Sequence, residues 1–168
     1  LYVSKIIDRS SLNPLVSVEI RQGIFRDRFS KDIVIKSILQ ILAKETDSVV
    51  FLILDDDVRY YGLANILAYE EFQSIEKIKS VISILEDDVF LKNMAQKYSS
   101  SGVSLLIGEE SGVGTLQDCA MAFTKIPFWN KNNSYVGVIG SKRMDYSKVI
   151  PALREVKNSL ENAMSGWR

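Results

Sequence analysis

The residues with chemistry to offer are few, and they are far apart. Asp55-Asp56-Asp57 is the densest carboxylate run. Three acids together suggest a cation site. Side chains alternate faces along a strand, so only two of the three could converge. A calcium loop spaces its ligands at alternate positions around a glycine and closes with a distant glutamate, and that pattern is absent. The run reads as a polar hairpin turn. Cys119 is the single cysteine. A thiol becomes a nucleophile when a base or nearby cation lowers its pKa. The chain has no histidine, so the commonest base and the commonest zinc ligand are both missing. Cys119 is expected to be buried and inert. Glu109-Glu110-Ser111-Gly112-Val113-Gly114-Thr115 has glycines, but not the lysine of a phosphate-binding loop. Glu86-Asp87-Asp88 precedes a helical stretch and there complements the helix dipole. No catalytic, metal or cofactor site is expected, and the chain is not read as an enzyme.

Arg21, Arg26, Arg28 and Lys31 form the most basic stretch. It reads either as a solvated helix face or as a contact for phosphates or an acidic partner. The chain as a whole has 21 basic and 21 acidic residues in 168, so it lacks the basic excess of a typical nucleic-acid binder. At 46% hydrophobic it can bury a substantial core. One cysteine argues against a disulfide framework and for a reducing compartment, here taken as the cytoplasm. No apolar run is long enough for a transmembrane helix.

These residues must be positioned by a recognisable series of elements. Residues 1–30 are expected to be a leader or linker, helical in the second half despite Gly23, and residues 31–168 the folded domain. Lys31–Lys44 has an apolar helical stripe that includes Val34, Ile38, Ile41 and Leu42. Residues 48–54 and 58–63 form a hairpin, the first strand apolar on both faces and hence central. A connector over 64–73 leads to a helix capped by Ser74, with Ile75, Ile78, Val81, Ile82 and Leu85 on its stripe. A second helix over 89–98 should bury Phe90, Leu91, Met94 and Tyr98. Strands follow over 103–108, 117–126 and 134–139. The Phe128-Trp129 loop could be an exposed contact surface or fold onto the core. Gly137 should permit a close backbone approach. The last helix is expected from about Ser147 to Ser165, ending at Gly166, with Pro151 in its first turn and Val149, Leu153, Val156, Leu160 and Met164 on one face. The fold class is α+β: a mainly antiparallel sheet of about five strands with flanking helices, in a GAF-like arrangement. The terminal helices should cover one face.

Four short runs carry a resemblance. They are Gly62-Leu63-Ala64-Asn65-Ile66-Leu67 with Glu70-Glu71-Phe72; Ile107-Gly108-Glu109-Glu110-Ser111; Asp118-Cys119-Ala120-Met121-Ala122; and Gly140-Ser141-Lys142-Arg143-Met144-Asp145-Tyr146. In order and spacing, over about residues 36–164, they resemble the C-terminal regulatory domain of the heat-inducible transcription repressors (HrcA). Glu70 and Ser141 stand where that family carries prolines, and Ser111 where it carries asparagine. The resemblance implies a repressor of chaperone genes that works as a homodimer and depends on a chaperonin. Operator DNA would be bound through an N-terminal winged helix not seen in this sequence, and the family's inserted dimerising segment is bypassed by the hairpin at 48–63. It also singles out Gly62, Asn65, Phe72, Gly108, Glu110, Asp118, Gly140, Arg143, Met144, Asp145 and Tyr146 as motif or interface residues. From the residues alone, Gly140 would let the strand exit sharply, Arg143 would pair with Asp145 or another carboxylate, Met144 would pack, and Asp145 would cap the last helix. The alternative function is a GAF-like small-molecule sensor or protein-interaction module. Its ligand would lie near Tyr60, Phe123 and Arg143.

Overall fold

The computed structural model describes residues 12–108 and 119–165. In chain order the elements are α1 (Pro14–Arg26), α2 (Lys31–Thr46), β1 (Val49–Leu54), β2 (Asp57–Tyr61), two 3-10 turns (Leu63–Ala68 and Glu70–Phe72), α3 (Ile75–Glu86), α4 (Asp88–Lys97), β3 (Ser104–Ile107), β4 (Cys119–Lys125), β5 (Ser134–Ser141) and α5 (Tyr146–Ser165). The expected strand starts at 117 and 118 and the helix stop at Gly166 lie outside the described residues.

The sheet order is β2-β1-β5-β4-β3. Every described pairing is antiparallel. The two central strands, β1 and β5, are buried along their whole length, because helices cover both faces. Val50, Leu52 and Leu54 of β1 turn to a core shared with α1, α2 and α5. Val49, Phe51 and Ile53 turn to the opposite core, formed with α3, α4 and the connector. This is the α+β, GAF-like arrangement, and the inserted helices fill the face the terminal helices leave.

Several elements differ from the sequence reading. Within the stretch taken as a leader, α1 is integrated into the body: Ile20, Gly23 and Ile24 are buried against the first core. Asn13 caps it through Oδ1, which accepts from the Leu15 amide at 2.9 Å, and Pro14 occupies the first turn, where its missing N–H costs nothing. In α3 the buried residues are Val81, Ile84 and Leu85. Ile75 is 75% exposed. The expected stripe holds at Val81 and Leu85 and partly at Ile78, while Ile75 in the first turn faces solvent. In α4 the buried set is Leu91, Met94 and Ala95, with Phe90 and Tyr98 only partly covered. Pro151 lies inside α5 rather than in its first turn. It deprives the Ser147 carbonyl of an amide donor, and its ring is buried in the first core.

Two glycines are dictated by packing. A Cβ on Gly137 would sit 2.4 Å from Cζ of Phe51 and 2.7 Å from the Ala122 carbonyl oxygen. The close neighbour is therefore a phenyl ring as well as a backbone. Gly140 does not mark a sharp exit, since β5 continues through Ser141. A Cβ there would stand 2.9 Å from Oγ of Ser48.

Candidate functional site

Apart from Gly108, the motif residues within the described parts gather at one end of the sheet, around Ser48. That serine lies between the end of α2 and the start of β1 and is fully buried. Asp47 closes α2 in the left-handed region, φ 49°, with its amide on the Ala43 carbonyl. The chain thus turns sharply into β1, and the Ala43 carbonyl, already holding the Asp47 amide, and the Ser48 carbonyl both face the connector. Asn65 satisfies both: its Nδ2 donates to the Ser48 carbonyl at 2.9 Å and to the Ala43 carbonyl at 3.2 Å. Gly62, at φ 93°, makes this possible. A Cβ there would be 3.0 Å from both the Asn65 amide nitrogen and the Ser48 carbonyl oxygen, and only glycine adopts such a φ freely. Phe72 anchors the connector from below, fully buried in the second core.

The other half of the site is the exit of β5. The Ser141 hydroxyl donates to Oε1 of Glu71 and accepts from the Arg143 amide at 3.0 Å. The Arg143 guanidinium donates through Nη2 to Oε2 of Glu71 at 2.8 Å. Both carboxylate oxygens are thereby occupied. The Glu71 side chain is 17% exposed and that of Arg143 69%. The Arg143 hydrogen bond, then that of Ser141, holds the Glu71 carboxyl down at about 2, and the same contact raises the Arg143 guanidinium. A carboxylate so bound is a poor proton acceptor near neutrality, so the pair acts as a latch and not as a general base. Of the partners the sequence allowed Arg143, it takes the second kind: another carboxylate, not Asp145.

Around the latch the motif behaves as read. Met144 is buried, with its sulfur 3.9 Å from Oγ of Ser48. Asp145 caps α5: its Oδ1 accepts from the Ser147 amide at 3.1 Å, and its carbonyl accepts from the Val149 amide at 3.1 Å. The Tyr146 hydroxyl donates to the Lys142 carbonyl at 2.8 Å, and burial pushes it up to about 12. A cleft of about 320 Å³ opens beside Glu70, Glu71, Lys142 and Arg143. Glu71 was missed as a site residue, although it immediately precedes Phe72 in the quoted run. Gly108 lies apart, at the end of β3, with φ 54°. Glu110 and Asp118 lie outside the described residues, as does the glycine loop over 109–115.

The other candidates resolve into structural roles. Asp55 accepts the amides of Asn132 and Asn133 at 2.9 and 2.8 Å. The Asn133 amide is the main influence lowering its pKa. Asp56 pairs with Lys92, and Asp57 with Arg59 at 3.2 Å. The three aspartates thus take three different partners at the hairpin. Among the described residues no cluster of acids, cysteine and histidine could hold a metal. Cys119 is buried. Phe128 is buried and meets Trp129 edge-on at 4.7 Å, both against the first core, so this loop folds inward. Arg21 pairs with Glu155 and Arg26 with Asp27, while Arg28 stacks on Phe25 and Phe29. Two of the four cations of the basic stretch thus have an acidic partner within the chain. Tyr60 and Phe123 line none of the three clefts found, and Arg143 lines only the small one beside Glu71. Among the described residues no helix is long and apolar enough to cross a membrane.

Comparison with known proteins shows the family of the chain. The family described as "HrcA protein C terminal domain" matches residues 9–150. The chain is 33% identical over 135 residues to a heat-inducible transcription repressor HrcA of Lachnoclostridium phytofermentans, covering 71% of this chain and 39% of that protein. It is 32% identical over 109 residues to the HrcA of Clostridium botulinum (strain Eklund 17B / Type B), covering 65% of this chain and 31% of that one. The chain thus spans about a third of the length of these relatives. In fold it is similar to a hypothetical protein solved at 2.2 Å, with a TM-score of 0.61 and 12% identity, covering 82% of this chain and 76% of that one.

Proposed function

Because this chain belongs to the HrcA family, matching its C-terminal domain, we propose that it is the regulatory and dimerisation part of a heat-shock repressor of chaperone genes. Operator contact would be made by a winged-helix segment outside these residues. Homodimerisation and dependence on a chaperonin belong to the same reading. The observation that carries it is the meeting of two of the family-like runs around Ser48. Gly62–Phe72 and Gly140–Tyr146 lie far apart in sequence and are joined by the Glu71–Arg143 latch and the Asn65 bonds. The balance of 21 basic and 21 acidic residues also favours a domain that does not grip phosphates itself.

The test is a gel-shift of this chain against an inverted-repeat operator from a chaperone promoter, with salt varied. The expected result is no sequence-specific shift. Tight, specific retardation by these residues alone would overturn the division of labour.

A second reading, a small-molecule sensor, draws on one feature. A groove of about 600 Å³ runs between α1 and α5, lined by Arg21, Phe25, Ser159 and Ala163 among others, and its size suits a metabolite. A thermal-shift screen separates the two readings. Stabilisation that grows with ligand concentration favours the sensor, and a flat screen leaves the protein-interaction role.

A further inference from the structure

Among the described residues β2 ends the sheet on one side, and all its residues are exposed except half-buried Val58. Its hydrogen-bonding phase follows from its neighbours. The Asp55 amide donates to the Asn133 carbonyl at 2.8 Å, so at this end of β1 the polar groups of alternate residues point to β5 and those of Leu54 point to β2. Leu54 stands opposite Asp57. Asp57, Arg59 and Tyr61 therefore turn their backbone groups inward to β1, and Val58 and Tyr60 turn theirs outward. An edge with open N–H and C=O groups is a template for another strand.

We propose that this edge pairs antiparallel with β2 of a second copy of the chain, Val58 opposite Val58, giving one continuous ten-stranded sheet. The proposal rests on the dimer reading above and names its surface. Charge selects the register. In antiparallel self-pairing the outward-facing residues must meet one another. Setting Val58 against Tyr60 of the partner subunit would put the two Arg59 side chains face to face. Setting Tyr60 against Tyr60 would draw in Gly62, which leaves the strand at φ 93°. Setting Val58 against Val58 puts Asp57 opposite Arg59 of the partner subunit, twice by symmetry, at the closely spaced non-hydrogen-bonded positions. Charges on an edge normally blunt pairing. These alternate in sign, so in one register they attract instead.

The surroundings fit the same occupant. Arg59 already reaches Asp32 at 3.6 Å and Asp57 at 3.2 Å, so in the dimer the two Arg59 side chains would stand among four aspartates, two from each chain. Tyr60, Tyr61 and Ile33, which adjoins Asp32, are all exposed large side chains near this edge. They supply apolar area that three paired residues alone would lack.

The test is the mass of the chain in solution by sedimentation velocity over a concentration series, for the wild type, Asp57→Arg, Arg59→Asp and an equimolar mixture of the two variants. Each reversal alone creates two like-charge pairs, and is expected to weaken the dimer by about tenfold or more. The mixture is expected to restore dimers, because one chain then carries two arginines and the other two aspartates. The pairing within each chain stays broken in that mixture, so restoration reports contact between chains. Val58→Pro serves as a second probe. It removes an outward N–H while leaving the bonds to β1, and should also give monomers. A wild-type dimer untouched by all three variants overturns the edge proposal and leaves the dimer reading standing. A wild type that is monomeric throughout the series overturns both.

Discussion

Arg143 and Glu71 are held 2.8 Å apart, Nη2 to Oε2, although 72 positions separate them in sequence. This contact fastens the connector after β2 to the exit of β5. Ser141 fills the other carboxylate oxygen, so the latch has three members, two of them on the Gly140–Tyr146 run.

Removing the carboxylate should loosen that end of the sheet. Glu71→Gln is expected to lower stability by about 1–2 kcal/mol at pH 7, the lower part of the range reflecting the exposure of Arg143. The pH dependence has a definite sign. The folded pKa of Glu71, about 2, lies below its ordinary value of 4.5. Its contribution is therefore fully present above pH 4.5 and is lost as pH falls toward 2. Urea unfolding measured across that window should show a slope in the wild type that is reduced in Glu71→Gln.

Asn65 presents its amide N–H₂ to two carbonyls, so isosteric replacement should be worse than truncation. Asn65→Asp places an acceptor against the Ser48 and Ala43 oxygens and should cost about 2–4 kcal/mol, while Asn65→Ala should cost about 1–2 kcal/mol. Thermal unfolding of both variants gives the order. Equal losses would mean that Asn65 contributes by packing alone.

The two tight glycines of β5 should differ in their tolerance. Gly137→Ala drives a methyl into the Phe51 ring and the Ala122 carbonyl, neither able to leave a packed sheet, and should cost about 3 kcal/mol or more. Gly140→Ala meets the Ser48 hydroxyl and should cost about 1–2 kcal/mol. The double variant Ser48→Ala with Gly140→Ala should recover part of that loss in chemical denaturation, because the oxygen in the way is gone.

Tyr146 should titrate late. Burial raises its hydroxyl from the usual 10 to about 12. The neutral form is favoured in the folded protein, so its share of stability is intact below pH 10 and is lost as pH rises through 12. Absorbance titration near 295 nm on the wild type and Tyr146→Phe isolates this one phenol. A normal titration in the folded protein would contradict the burial described.

Much of the fold could be read from the chain because local rules and tertiary demands coincide. Val49–Leu54 is apolar on both faces and is central. Ser74 and Asp87 cap helices because each precedes a helical run, and their side chains accept the amides of Lys77 and Phe90. The failures share another cause. Pro151 breaks the local rule inside α5, and burial of its ring compensates. Ile75 fits the helical period, yet it is left exposed at the start of its helix. The helix expected despite Gly23 is present, and there Gly23 is buried against α2, where an added Cβ would still stand 3.6 Å from Ile41. Two of the family-like runs meet in one region, and within it Arg143, Met144, Asp145 and Asn65 have definite partners. Glu71 escaped because nothing local marks a surface glutamate as the counter-ion of a distant arginine.

The most direct test of the regulatory proposal is made in the source cell. The coding segment for this chain would be deleted, and chaperone-gene transcripts measured at the normal growth temperature. The account predicts that these transcripts rise several-fold without heat and that further heating adds little. Unchanged basal transcripts with full heat induction would contradict it.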